Sequence, residues 1–345
     1  MKLLLIGGTG IISSAVSDLA LHRNHELWLI TRGLALHTIP SGAHVIHADI
    51  QTDSDFISTA IKNEYFDCIA DFTVQTPDQI ERDYDLFHNK TKQYIFISSA
   101  CVYKRPLPHY ILTEDSPVGN PYWNYAQNKL ACEEKLQKIA NLHSFPFTII
   151  RPGHTYDDTW LPLCITGYRG GYAVIQRMLE GRATIIPGDG TSLWTVTHNS
   201  DFAAAFLGIA GNPAAVGEIV QISSDEILSW NQIYHTIAEL LDVPFRPFYV
   251  SSLFLHQAGP YDFQSCLIGE RVQSAVLCND KLKKLVPGFH AKTSFRTGIK
   301  PALEHLLADP ALQIADPVFD SWCDRLIDVL GNVAKELKRE FPEPL

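Results

Sequence analysis

The feature that most constrains this chain is its rhythm: across the first half, short apolar runs alternate with longer amphipathic ones. Runs buried on both faces read as continuously hydrophobic and belong to a parallel sheet, and the amphipathic stretches between them are its crossover helices. Strands are expected at Lys2 to Ile6, Glu26 to Thr31, His44 to Ala48, Cys68 to Phe72, Tyr94 to Ser98 and Phe147 to Arg151. Helices fall between them at Ile11 to Leu21, Asp53 to Lys62, Pro77 to Phe87 and Tyr125 to Asn141. This is an α/β, doubly wound parallel sheet, which binds ligands at the carboxyl ends of its strands.

Beyond Arg151 the rhythm gives way to aromatic, Gly-rich and Pro-rich segments. Helices are expected at Gly171 to Glu180, Trp230 to Leu241, Thr297 to Leu307 and Pro317 to Lys338. Two strands, Thr195 to Thr197 and Glu218 to Ile222, are expected to return to the main sheet. The boundary is therefore interleaved: residues 1–165, rejoined by 195–222, make the nucleotide-binding (Rossmann) domain. Residues 166–194 and 223–345 make a smaller C-terminal lobe for substrate.

A net charge of -10 disfavours a broad footprint for nucleic acid or an anionic membrane. The seven cysteines are scattered, with no Cys-x-x-Cys pair, so neither a disulfide framework nor a metal site is signalled. The apolar start, Met1 to Ile6, stops at Gly7, too short for a secretory signal, and no apolar stretch spans a bilayer. A cytoplasmic protein is expected.

Gly7 Gly8 Thr9 Gly10 Ile11 Ile12 Ser13 follows the first strand and opens a helix. Glycines there permit a tight turn and close approach to a pyrophosphate, which rests on the positive end of the helix. The spacing is Gly-x-x-Gly-x-x-Ser, a departure from the usual third glycine. Gly7, Thr9, Gly10, Ile11 and Ile12 are the expected phosphate-side contacts. Strand two ends in Thr31 Arg32, where a carboxylate on the adenosine ribose would favour NAD. Arg32 either accepts a 2′-phosphate or faces adenine or solvent, and the residues lean toward NADP over NAD. Asp49, beside Ile50, caps either the adenine amino group or the next turn. Phe72, Thr73 and Ser98 stand at further strand ends facing the cofactor.

Tyr125 Ala126 Gln127 Asn128 Lys129 puts a phenol and an ammonium on one helix face. A free phenol titrates near ~10, so it becomes a base only when a cation lowers that value. Lys129 and an oxidised nicotinamide are the two cations available. The fifth strand, Ile95 to Ser98, delivers Ser99 to its carboxyl end, where the hydroxyl can hold the reacting substrate oxygen.

A glycine turn, a strand-end serine and a Tyr-x-x-x-Lys in this order resemble the extended short-chain dehydrogenase/reductase family, in its NAD-dependent epimerase/dehydratase group. The resemblance runs from Gly7 through Ser99 and Tyr125 to Arg151 Pro152 Gly153 His154 and Gly188 Asp189 Gly190, then to about Gly288. It implies that Tyr125 is the acid/base, that Lys129 binds the nicotinamide ribose and tunes Tyr125, and that Ser99 orients substrate. Pro152 and His154 would meet the carboxamide, with His154 also reaching substrate. It further implies a homodimer built on the helices around Pro77 to Phe87 and Tyr125 to Asn141. Ile97 to Tyr103 and Asn120 Pro121 Tyr122 Trp123 look most like an atypical branch containing bacterial epimerases and chloroplast stem-loop RNA-binding proteins.

Departures narrow the chemistry. Trp194 stands where many nucleotide-sugar enzymes carry a diphosphate-clamping arginine, and an indole makes no such contact. Arg169, Arg177 and Arg271 are either its replacements or, the reading favoured for each, surface ion-pairing residues. Ala100 and Cys101 occupy the positions where sugar dehydratases place an Asp-Glu pair, which argues against a 4,6-dehydratase. Glu133 and Glu134 read as a solvated helix face, Asp157 and Asp158 as a turn, and His198 to Asp201 as a helix start capped by Asn199. Substrate contacts are expected from Ser99, His109, Tyr122, His154, Trp160 and Trp194, on loops at the sheet's carboxyl edge. The expected function is NAD(P)-dependent oxidation or epimerisation of a secondary alcohol on a sugar, nucleotide-sugar or nucleoside-like molecule. The competing expectation is an RNA-binding protein of the stem-loop type, against which the charge weighs.

Overall fold

The computed structural model describes residues 1–34 and 39–341. Seven strands form one parallel sheet: β1 (Lys2–Ile6), β2 (Glu26–Thr31), β3 (His44–His47), β4 (Cys68–Asp71), β5 (Tyr94–Ile97), β6 (Phe147–Pro152) and β7 (Ile219–Ile222). Their spatial order is β7-β6-β5-β4-β1-β2-β3. The chain winds outward in one direction from β1 to β3, then returns beside β1 as β4 and winds the other way. That reversal opens a crevice over the carboxyl ends of β1 and β4.

Alternation along the strands explains the continuous apolar runs. Leu3 and Leu5 of β1 join Leu29, Ile95, Phe202 and Phe206 on one face, and Leu4 and Ile6 join Phe66, Ile69, Phe96 and Leu136 on the other. The helices α1 (Ile11–His22), α2 (Ser54–Ala60), α3 (Pro77–Phe87) and α4 (Asn124–His143) cover the sheet, with α3 packed on α4. The second half supplies α5 (Tyr172–Leu179), α6 (Asn199–Ile209), α7 (Trp230–Leu240), α8 (Ser252–Ala258), α9 (Asp280–Leu285), α10 (Phe295–Ala308) and α11 (Pro317–Glu340). Of these, α6 packs against α1 on the main sheet. A third core, with Trp230, Tyr234, Phe295 and Phe319 among its members, unites most of the remainder.

One of the two expected returning strands does return: Ile219–Ile222 is the edge strand beside β6. The other does not. Val196–His198 pairs with His154–Tyr156 in a separate two-stranded ladder. The chain turns away from the sheet at Gly153, whose amide donates to the Ile222 carbonyl, and a Cβ at Gly153 would approach the Leu277 side chain at 2.8 Å. The outgoing segment thus takes its own partner.

Two other expectations are corrected. Arg177 is buried, its guanidinium held by Asp320 and Asp324 of α11, so it pins that helix to α5 and is no surface group. The start of α6 is capped by His198, whose Nδ1 accepts from the Ser200 amide; Asn199 instead donates to the Ile11 carbonyl. Asp157 does form the expected turn, accepting from the amide and hydroxyl of Thr159.

Candidate active site

The turn between β1 and α1 is built for close approach. Gly7 has φ +74°, a left-handed conformation, and a Cβ there would lie 2.5 Å from Thr73 Cγ2. Ser13, in place of a third glycine, braces the turn: its hydroxyl accepts from the Gly10 amide at 2.9 Å and donates to the Gly7 carbonyl at 2.5 Å. Ser17 does the same for the Gly8 carbonyl at 2.7 Å. The first turn of α1 carries no acidic side chain, so the helix dipole and the free amides of its first turn present an uncompensated positive end. Thr9 is buried beneath it, and Ile11 and Ile12 are half-buried. A dinucleotide's pyrophosphate fits this cradle on shape and charge.

Around the rim, Arg32 is exposed and lies 3.6 Å from the Asp49 carboxylate. Asp49 also accepts from the Gln51 amide, the turn-capping role, while Ile50 is buried. A carboxylate therefore stands beside Arg32 after all, delivered by β3 instead of β2. Phe72 packs on Phe206, and the amide and hydroxyl of Thr73 donate to Asp71 Oδ1 at 2.5 and 2.7 Å, fixing the loop that closes over Gly7.

Tyr125 and Lys129 lie in the first turns of α4. The Lys129 ammonium donates to the carbonyls of Val74 (2.6 Å) and Ile97 (2.8 Å) and sits 5.6 Å from the centre of the Tyr125 ring. Two of its three donors are thus tied to the ends of β4 and β5, leaving one for a ligand hydroxyl. Burial lowers the Lys129 pKa. Burial also holds the Tyr125 phenol above its ordinary value, reinforced by Cys101 and Glu270, while hydrogen bonding to Ser99 pulls it down. Positive charge placed beside the phenol would act against burial and favour its ionised form. The Ser99 hydroxyl accepts from the Cys101 amide at 3.2 Å and so faces the turn that follows β5.

Ser98, by contrast, spends its hydroxyl on Glu133 Oε1 at 2.5 Å. Glu133 is 1% exposed and paired with Arg151 at 2.6 Å, so the reading of a solvated face holds for Glu134 and fails for Glu133. The helix period gave no hint of this, because what covers a helix face comes from another part of the chain.

Of the residues proposed for substrate, His154 and Trp194 share a small pocket, with the Trp160 ring tilted at 46° to the His154 ring and 5.3 Å from it. Burial lowers the His154 pKa to about 3, with Arg271 adding to the effect, so the imidazole is neutral. Trp194 is buried against Trp230. Tyr122 is half-buried beside Gly269, Pro152 ends β6, and His109 is exposed and does not line this pocket. Arg105 and Glu270, which the sequence reading missed, line it instead. Neither lies in a recognisable motif.

Residues 85–223 match the family described as NAD dependent epimerase/dehydratase. Over that segment the chain is similar to that family. Curated relatives include the chloroplast stem-loop binding protein of 41 kDa b of Arabidopsis thaliana, 27% identical over 69% of this chain, and UDP-glucose 4-epimerase of Mycolicibacterium smegmatis, 32% identical over 44%. The chain spans 62% and 46% of the lengths of these two curated relatives. Among solved structures, UDP-glucose 4-epimerase of Thermotoga maritima is similar with a TM-score of 0.68 at 19% identity, over 89% of this chain and 99% of that one. UDP-glucuronic acid 4-epimerase of Bacillus cereus gives 0.70 at 18%, over the same shares. These likenesses establish the fold.

The arginines considered as stand-ins for a diphosphate clamp are engaged elsewhere. Arg169 donates to the Ala315 carbonyl, Arg177 holds α11, and Arg271 Nη1 donates to the carbonyls of Leu163 and Cys164. Among the described residues no helix is long and apolar enough to cross a membrane.

Proposed function

We propose that this chain is an NAD-dependent oxidoreductase of the epimerase type, acting on a secondary alcohol of a sugar or nucleotide-sugar. The observation that carries the reading is the fixing of Lys129 by the ends of β4 and β5, beside Tyr125 and within reach of the glycine cradle. In this reading the amides at the start of α1 bind the pyrophosphate, and the free donor of Lys129 binds the ribose. The nicotinamide, when bound, supplies the hydride acceptor and a second positive charge beside Tyr125. Tyr125 then removes the hydroxyl proton of the substrate as the carbon–hydrogen bond gives up its hydride, and Ser99 donates to the oxygen becoming a carbonyl. Were the bound nicotinamide to supply a hydride to the opposite face, Tyr125 would hand the proton back and the net reaction would be an epimerisation; were the ketone released, it would be a dehydrogenation.

NAD is preferred over NADP. Asp49 beside Arg32 would repel a 2′-phosphate and suits a ribose hydroxyl, and the family is named for NAD. Denaturing the purified protein and identifying the released nucleotide by mass tests this directly. Retained NAD or NADH supports an epimerase that recycles its cofactor, whereas a protein that binds neither NAD nor NADP removes the reading.

A second reading rests on the similarity to the chloroplast stem-loop binding protein. It requires RNA affinity that falls steeply with salt, measured by filter binding, and the charge of -10 weighs against it. We also place a homodimer contact on α3 and α4, which sedimentation checks.

A further inference from the structure

Two loops border the nucleotide cradle, one carrying Thr73 against Gly7 and the other carrying Asp49 beside Arg32. Both lead to a single side chain, Arg82 on α3. Arg82 Nη2 donates to Asp71 Oδ2 at 3.2 Å, and the other oxygen of that carboxylate receives the amide and hydroxyl of Thr73. Arg82 Nη1 donates to Gln51 Oε1 at 2.7 Å, and the Gln51 amide donates to Asp49. Gln79, also on α3, donates to the same Gln51 oxygen at 3.2 Å. Nε and Nη2 hold Asp83 Oδ1 at 2.9 and 2.6 Å, and the Tyr94 hydroxyl donates to Asp83 Oδ2 at 2.5 Å.

Asp71 and Asp83 are both fully buried, so a cation between them offsets their desolvation. Neutralisation alone does not call for this geometry. A lysine would bring a point charge, whereas the planar fork of Arg82 sends separate donors to acceptors in three segments of the chain and so fixes directions as well as charge. Two of those acceptors, Asp71 and Gln51, anchor the loops on the nucleotide rim. We propose that Arg82 is a positioning residue for the adenosine diphosphate half of the dinucleotide, acting through Thr73 and Asp49 by locking their two loops into one geometry. The inference rests on the dinucleotide-binding reading and assigns the regulation of that site's shape to a residue on α3.

The test is calorimetric titration of the full-length protein, dialysed free of nucleotide, with NAD and with ADP-ribose, which lacks the nicotinamide. Arg82→Met should weaken both ligands by the same factor, about tenfold or more, as expected for the loss of a charge-assisted hydrogen bond. Arg82→Lys should fall between Arg82→Met and wild type. Gln51→Ala, at an exposed position, should lose part of the affinity at an unchanged melting temperature. It should add little to either Arg82 variant, because its contribution runs through the guanidinium. Tyr94→Phe strips a donor from Asp83 but spares both loop bonds, so it should lower the melting temperature and leave both affinities at the wild-type level. If Arg82→Met does not fold, Arg82→Lys and Gln51→Ala decide the matter. Wild-type affinities in a folded Arg82 variant, or losses from Gln51→Ala and Arg82→Lys that add in full, would overturn the inference alone. Wild-type protein that binds neither NAD nor ADP-ribose would overturn the underlying reading, and the role of Arg82 with it.

Discussion

Replacing Glu133 with alanine should destabilise the protein far more than a charge on a helix surface would. Arg151 donates to Glu133 through Nε at 3.0 Å and Nη2 at 2.6 Å, and both side chains are almost wholly inaccessible, at 3% and 1% exposed. Ser98 adds a third bond. In Glu133→Ala the guanidinium stays buried, with the Glu114 carbonyl at 3.1 Å and the face of the Tyr103 ring at 5.0 Å as neutral partners. Stranding one member of a buried pair costs about 3–5 kcal/mol, whereas an exposed pair is worth at most about 1 kcal/mol. Against a total stability of about 5–15 kcal/mol that is a large fraction. Urea unfolding followed by circular dichroism measures it as a fall in midpoint at unchanged slope. Glu133→Gln, which keeps an acceptor, should lose about half as much, and the double variant Glu133→Leu with Arg151→Met should recover most of the loss. A Glu133→Ala loss under about 1 kcal/mol would refute the buried-pair argument. Because Glu133 lies one turn beyond Lys129 on α4 and binds the end of β5 through Ser98, turnover should fall with it.

Tyr125→Phe should abolish turnover while nucleotide content stays at the wild-type level; residual activity would remove Tyr125 from the role of acid/base. Gly7→Ala forces a side chain into a left-handed backbone and against Thr73, so it should cost about 1–3 kcal/mol and empty the nucleotide site, both measurable on one preparation. His154 titrates near 6.5 when unfolded and about 3 when folded, so below pH 6.5 the unfolded chain binds the extra proton. Stability from this residue is present above pH 6.5 and is lost as pH falls toward 3, at no more than about 1.4 kcal/mol per pH unit. Thermal unfolding of His154→Gln should show a shallower acid limb; identical limbs would contradict the burial of the imidazole.

The strands of the sheet and the helices α1 to α4 were legible because their signals are local. Hydrophobic period, the glycines before Ile11 and the four-residue step from Tyr125 to Lys129 are all properties of short windows. Even the unusual Ser13 makes sense within its own turn, seven residues long. What the sequence could not decide is which distant segment covers a given side chain. Glu133 looks like any surface glutamate until β6 places Arg151 over it. Arg105 and Glu270 are 165 residues apart, belong to no motif, and share a pocket only because the second lobe folds back over the end of β5. The chain order of Val196–His198 is equally silent about its partner, since strand pairing beyond a hairpin is chosen by the faces that remain to be buried. By itself, then, the sequence determined a doubly wound sheet, the glycine turn at its first strand end and a Tyr-Lys step on one helix face, because those depend on neighbours within a turn or a strand. The pairing of Glu133 with Arg151 and the meeting of Arg105 with Glu270 at one pocket were decided by tertiary structure, because desolvation and pairing depend on what is near in space and not on what is near in the chain.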